Sequence, residues 1–219
     1  MSLGSFVKYF RLRLFYWLLG PFSNVARRRR MRMFCDKVRV SPGDRILDLG
    51  GHPDIWNHVD IPLRITIVNL PGCVVEKSIK QHQMTFLEGD ACDLQGFAPD
   101  DFDIVYSNSV IEHVGPLEKQ TEFAAQVKKF NAKFWVQTPS KWFPIEAHCG
   151  MPLWWFYPES WRKHILDRWS PKLPDWTEMV RGTRVLEKSL LRSLFPQAKL
   201  STERFLGWPK SYVVWKDSK

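Results

Sequence analysis

The chain has 219 residues, 44% of them hydrophobic and 25% charged, with a formal net charge of +9 at pH 7. That length supports a core burying roughly 70% of the unfolded surface without disulfide or metal staples, and with a mean hydropathy of −0.29 it excludes a disordered chain and a polytopic membrane protein. The four cysteines are scattered, with no Cys-x-x-Cys pair and no zinc-finger histidine spacing, so a reducing, cytoplasmic setting and no structural metal are expected.

The charge is unevenly placed. The first 45 residues hold eleven cations and two anions, while the remaining 174 carry 21 of each. Between Phe6 and Leu19, eleven of fourteen residues are apolar or aromatic, interrupted by Lys8, Arg11 and Arg13. This run is too short and too charged to span a bilayer. It also leads through Gly20-Pro21 into the arginines Arg27 to Arg30, unlike a secretory signal. Residues 1–40 therefore read as a basic, aromatic helical arm. Two readings stay open: an interfacial helix with the arginines on anionic lipid at the inner face of the membrane, or a lid packed on the domain.

From residue 41 to 219 the sequence reads as one domain. Short apolar runs alternate with helix-like stretches, the pattern of a parallel α/β sheet. Strands are expected at Arg45 to Leu49, Arg64 to Leu70, Met84 to Leu87, Phe102 to Ser107 and Lys133 to Thr138, with a helix over Leu117 to Phe130. A helix over Arg184 to Leu194, stopped by Pro196, precedes runs at Ala198 to Phe205 and Ser211 to Trp215. Their five-residue link permits an antiparallel return and no crossover. Residues 139–180 break the alternation. With six tryptophans and six prolines they read as an ordered insertion, placed beside the carboxyl ends of the strands where open α/β sheets bind ligands.

The first strand delivers an acid into a glycine turn, Asp48-Leu49-Gly50-Gly51-His52-Pro53, which lets backbone approach a ligand closely. His52 and Pro53 interrupt the dinucleotide-binding Gly-x-Gly-x-x-Gly pattern, which disfavours NAD and FAD. Further signals follow in order: Ile67-Val68-Asn69-Leu70, Glu88-Gly89-Asp90-Ala91, and Ser107-Asn108-Ser109-Val110-Ile111-Glu112-His113.

This ordered set resembles the class I S-adenosylmethionine (SAM)-dependent methyltransferases. It is most similar to the bacterial type 11 group, within a branch whose first motif is Leu-Asp-x-Gly-Gly-x-Pro-x-x-Trp, here Leu47 to Trp56. The resemblance implies a Rossmann-like sheet of seven mostly parallel strands, the last antiparallel, with SAM as cofactor. It implies that Asp48, Gly50 and Gly51 line the amino-acid part of SAM and that Asn69, with Leu70, faces the ribose. Asp90 and Ala91 would hold the adenine, and Ser107 and Asn108 would stand near the methionine end. His52 replaces the usual second glycine and Asn69 the usual ribose-binding acid, so weakened SAM binding is expected. Only thirteen residues separate the first motif from the second strand, so the usual first helix is abbreviated, with Trp56 filling its space.

Methyl transfer from a sulfonium is an in-line displacement, and a base is needed only for a poor nucleophile such as a hydroxyl. His148 is a candidate base, with Glu146 able to orient it if the segment is extended. His113 is a second candidate, while Glu112 and His113 alternatively cap the segment that follows. Ubiquinone-pathway O-methyltransferases hold a divalent metal with a similar Glu-x-x-Glu-His set. Here Ser109 occupies the first Glu position, and no metal is expected.

The sequence thus predicts a SAM-dependent methyltransferase, O-directed, acting on a small-molecule, glycan or lipid-linked acceptor. The alternative is a non-catalytic SAM-binding protein docking to membrane or partner through its arm. Nucleic acid is not expected as a partner, because no Asn-Pro-Pro-Tyr signature is present and the body is neutral.

Overall fold

The computed structural model describes residues 24–146 and 148–218. The expectation for Phe6 to Leu19 lies outside the described residues. Helix α1 (24–38) leads into seven strands, β1 (Arg45–Leu49), β2 (Arg64–Asn69), β3 (Gln83–Glu88), β4 (Ile104–Asn108), β5 (Lys133–Pro139), β6 (Lys199–Phe205) and β7 (Trp208–Lys216). Four further helices are α2 (Leu117–Lys129), α3 (Glu159–Trp169), α4 (Pro174–Gly182) and α5 (Lys188–Leu194).

One sheet contains all seven strands in the order β3-β2-β1-β4-β5-β7-β6. Strands β1 to β5 pair in parallel, and β7 runs antiparallel to both β5 and β6. This is the expected topology. The hairpin is tighter than expected, because β6 and β7 extend until only Leu206 and Gly207 remain between them. Both have positive φ, at 48° and 84°, the conformation of a two-residue turn that matches strand twist. The helix expected from Arg184 begins four residues later, at Lys188.

Successive residues of each inner strand face opposite ways, which builds a core on both sides of the sheet. Ile46, Ile104, Trp135 and Val213 face one layer with Met31, Phe34 and Val38 of α1 and with Trp56. Leu47, Val105, Val136 and Val214 face the other, with Phe123 and Val127 of α2 and Leu191 and Leu194 of α5. Helix α1 therefore packs into the core, while Arg27, Arg28 and Arg29 stay exposed on its outer side.

Between β1 and β2, where a crossover helix would normally lie, the chain makes a single 3-10 turn, Pro53–His58. Proline at its start presets φ, and His52 Nδ1 accepts from the amide of Asp54 at 3.3 Å. Trp56 is fully buried, its ring 5.1 Å from Tyr106 and 6.1 Å from Phe34, and takes the volume of the missing helix.

The insertion after β5 has a small core of its own. Cys149, Trp154, Leu166 and Val180 are buried there, with Trp155, Trp169 and Trp176 packed around them. Two hydrogen bonds fasten the segment that follows it to the sheet domain: the Arg184 amide donates to Glu112 O at 2.6 Å, and the Gln120 side chain donates through Nε2 to Arg184 O at 3.0 Å.

Candidate active site

The chain leaves β1 for β2 and β3 on one side and reaches β4 and β5 on the other, so the topological switch lies between β1 and β4. The glycine turn sits at that switch. Gly50 has φ of +70°, and a Cβ there would come within 2.6 Å of Val110 Cγ2; a Cβ on Gly51 would come within 1.9 Å of Asp48 Oδ2. Both glycines are required by close approach, Gly50 to the segment after β4 and Gly51 to the acid before it.

Asp48 is completely buried. Its Oδ2 accepts from the Trp56 indole at 2.8 Å, while Oδ1 has no hydrogen-bond partner among the described residues. Burial pushes its pKa up to about 7, against the lowering effect of the indole N–H. An orphaned carboxylate oxygen beside a glycine turn is an acceptor waiting for a cationic group, and the ammonium of SAM fits that requirement.

Asn69 turns inward to the same loop, its Nδ2 donating to Gly51 O at 2.9 Å. The residue expected to face the ribose thus anchors the glycine turn. Leu70 is 56% exposed immediately beyond it. Asp90 is exposed and accepts from the Cys92 amide at 2.8 Å through Oδ1, which shapes the turn that carries buried Ala91. Ser107 is fully buried and donates to Leu49 O at 3.1 Å, tying the end of β4 to that of β1. Asn108 Oδ1 accepts from Arg30 Nη1 at 2.7 Å. The same guanidinium pairs with Glu203 at 2.8 Å. Burial would lower the arginine's pKa, but the Glu203 carboxylate outweighs it and holds the group charged.

His113 and His148, from segments 35 residues apart, meet ring to ring. Their Nε2 atoms stand 3.0 Å apart with the ring planes perpendicular. Glu146 does orient His148, its Oε1 lying 2.7 Å from Nδ1. It does so from a tight turn and not from the extended segment expected, because Oε2 also takes the amides of His148 and Cys149, each at 2.6 Å. Thr183 Oγ1 donates to Met179 O at 2.8 Å and lies 3.3 Å from His113 Nδ1.

These partners assign the protons. Thr183 has spent its hydrogen, so it accepts from His113 Nδ1–H, which leaves a lone pair on His113 Nε2. That lone pair accepts from His148 Nε2–H, while His148 Nδ1–H donates to Glu146. His148 is therefore an imidazolium and His113 neutral. The pKa directions agree: burial and the neighbouring His148 hold His113 down to about 4, whereas the Glu146 hydrogen bond and charge raise His148 despite its burial. Glu146, although buried, is held below its ordinary value by the His148 side chain and by hydrogen bonding from Cys149.

Beneath the pair lies Glu112, with no exposed surface. Its Oε2 accepts from Thr138 Oγ1 at 2.9 Å; Oε1 has no hydrogen-bond partner among the described residues and lies 4.0 Å from His113 Nε2. Burial raises its pKa to about 7. Ser109, in the position where a further acid was considered, donates to Gln137 Oε1 at 2.9 Å. Sequence reasoning missed Thr183, which lies 70 residues from His113, and Arg30, which no local signal separates from the arginines beside it.

A cavity of about 850 Å³ opens on the insertion side, with Trp154, Trp155, Arg162, Lys163, Thr183 and Arg184 in its wall. Thr183 joins this wall to the histidine pair.

The sheet order, the antiparallel last strand and the glycine turn at the switch point define a class I methyltransferase fold. Residues 64–135 match the family model described as a methyltransferase domain. Two solved structures share the fold. One is magnesium protoporphyrin IX methyltransferase from Synechocystis with bound S-adenosylhomocysteine, at 13% identity and a TM-score of 0.52, covering 86% of this chain and 80% of that one. The other is the N-methyltransferase NodS from Bradyrhizobium japonicum, at 9% identity and a TM-score of 0.51, covering 89% and 95%. Among curated proteins, cyclopropane-fatty-acyl-phospholipid synthase of Escherichia coli K12 is 28% identical over 115 residues, which is 50% of this chain and 29% of that enzyme. The chain thus spans less than a third of the curated relative it matches.

Proposed function

We propose that the protein binds SAM at the carboxyl ends of β1, β2, β3 and β4 and transfers its methyl group to an oxygen of an anionic, lipid-linked acceptor held by the Trp-rich insertion. The observation that carries the cofactor assignment is the orphaned, buried Asp48 oxygen beside Gly50 and Gly51. That acceptor atom suits the ammonium of the methionine part, and Asn69 and Asp90 are spaced along the same strand ends for the ribose and adenine. SAM supplies the electrophilic methyl group. The chain's own residues bind and orient both partners and exclude water.

Support for the acceptor class comes from the 850 Å³ cavity. Arg162 stacks over Trp155 at 5.7 Å, and its Nε is buried without a hydrogen-bond partner among the described residues. With Lys163 and Arg184 nearby, this wall suits a phosphate or carboxylate group beside an apolar one. The curated relative is named for the phospholipid it synthesises, and Arg27, Arg28 and Arg29 present a basic face that suits anionic lipid at the inner membrane surface. Among the described residues no helix is long and apolar enough to cross a membrane.

A hydroxyl acceptor must lose its proton as the methyl arrives. In the hydrogen-bonded state the pair already holds one proton between its Nε2 atoms. Once that proton leaves, two lone pairs converge on one place, with His148 fixed by Glu146 and His113 by Thr183. The proton of an acceptor hydroxyl presented there passes to this pair.

The test is incubation with methyl-labelled SAM and a cell lysate, followed by partition of label among lipid, glycan, small-molecule, protein and nucleic-acid fractions, with Asp48→Asn as control. Label in the lipid fraction that the variant abolishes is the expected result. Label elsewhere replaces the acceptor class, SAM binding without transfer supports a non-catalytic SAM-binding role, and no SAM binding overturns the proposal.

A further inference from the structure

We infer that Glu112, His113 and His148 form a binding site for one divalent transition-metal ion of the zinc type. One ligand atom from each of the three lies within 4.8 Å of the others, and among the described residues these are the three that come together in this way. Donors bound at about 2.0–2.1 Å to a common tetrahedral ion stand roughly 3.3 Å apart. The Nε2 atoms at 3.0 Å and the Glu112 Oε1 to His113 Nε2 separation of 4.0 Å bracket that value, and one ligand atom of each residue lies within 4.8 Å of the others.

Three further observations point to a cation. First, Glu112 Oε1 is buried with no hydrogen-bond partner among the described residues, while Oε2 is fixed by Thr138 and Oε1 lies 4.0 Å from His113 Nε2. Second, both histidines are gripped at Nδ1, by Glu146 at 2.7 Å and by Thr183 at 3.3 Å, which leaves both Nε2 atoms directed at the same space. Carboxylate or hydroxyl support behind a ligating histidine is the usual arrangement at metal sites. Third, the one proton shared by the two Nε2 atoms satisfies their contact and leaves Glu112 Oε1, among the described residues, without any partner.

A set of two histidines and one carboxylate with no fourth protein donor leaves a coordination position open. The use of that position rests on the methyltransferase reading: an acceptor oxygen entering it would have its hydroxyl pKa lowered by the ion, in place of direct proton transfer to the imidazoles.

The experiment uses the full chain, stripped with a chelator and titrated with Zn²⁺ against a chromophoric competitor, with Co²⁺ absorption reporting coordination geometry. One equivalent should bind, with visible bands of four- or five-coordinate Co²⁺. His148→Ala should weaken binding at least tenfold, and Glu146→Gln, which touches no metal, roughly 10- to 100-fold. Circular dichroism establishes that each variant is folded. If Glu112→Gln fails to fold, His113→Gln and His148→Ala carry the test. Binding that is absent, or equally tight in folded His113 and His148 variants, overturns the inference, as does binding of Mg²⁺ in preference to Zn²⁺. SAM binding is measured separately by calorimetry. A chain that binds Zn²⁺ through these residues but not SAM keeps the site and loses the methyltransferase reading, and the reverse result keeps the reading and loses the site.

Discussion

At the residue scale, Asp48 is the most consequential group, because its charge is opposed by burial and unmatched on one oxygen. Its folded-state pKa of about 7 lies above the value near 4 of an unfolded chain. Below both values the acid is protonated in either state and has no effect. As pH rises between them the unfolded chain ionises first, so this group makes the ligand-free protein less stable up to about pH 7. Urea midpoints should therefore carry a downward component across that window, which Asp48→Asn removes. A cation at Oδ1 reverses the balance, so SAM affinity should rise between about pH 5 and 7, with proton release seen by calorimetry in buffers of different ionisation enthalpy. A pH-independent affinity in that range would separate Asp48 from the SAM ammonium. Asn69 carries a second prediction. Read from the sequence it is a weakened ribose ligand, but its donation to Gly51 O at 2.9 Å gives it another duty. Asn69→Asp sets a carboxylate oxygen against that carbonyl, so it should weaken SAM binding several-fold and not strengthen it, as titration calorimetry would show.

At the scale of elements, α1 is held by three apolar residues and one ion pair. Met31, Phe34 and Val38 are fully buried, and Arg30 bridges Glu203 of β6 and Asn108 at the end of β4. Arg30→Ala strands Glu203, whose carboxyl is otherwise held below its usual range by that arginine in spite of burial. A loss of about 3–5 kcal/mol is expected in chemical denaturation. Arg28→Ala on the exposed side should change stability by less than about 0.5 kcal/mol, so the two variants separate structural from surface arginines. The strands were legible because apolar runs bounded by turn residues admit few alternatives in an alternating chain, and the hairpin because a short link forbids a crossover. The glycine turn was legible because close approach demands glycine. The His113–His148 meeting was not, since it depends on how the insertion folds back over β4, and no periodicity in residues 139–180 specifies that path. Glu146 was paired correctly with His148 but through the wrong local geometry, because sequence spacing cannot tell an extended i−2 contact from a carboxylate capping a turn.

At the scale of the whole molecule there are two cores, the large one about the sheet and the small one inside the insertion. Trp154 is 2% exposed at the centre of the small core, stacked at 6.2 Å on Trp169. Trp154→Ala should accelerate amide hydrogen exchange across α3 and α4 while leaving β1, β4 and β5 protected. Equal acceleration in the sheet would show that the two cores unfold as one. Arg30 and Glu203, joined across 173 positions, also link segments made far apart in time. On the ribosome α1 emerges with its guanidinium unmatched and its apolar face incompletely covered; the ion pair cannot form until β6, nor the contacts with Val213 and Trp215 until β7, have left the exit tunnel. Completion of this domain's fold is therefore a late event, and nascent chains stalled before residue 203 should be held by chaperones through the α1 surface that the finished protein conceals.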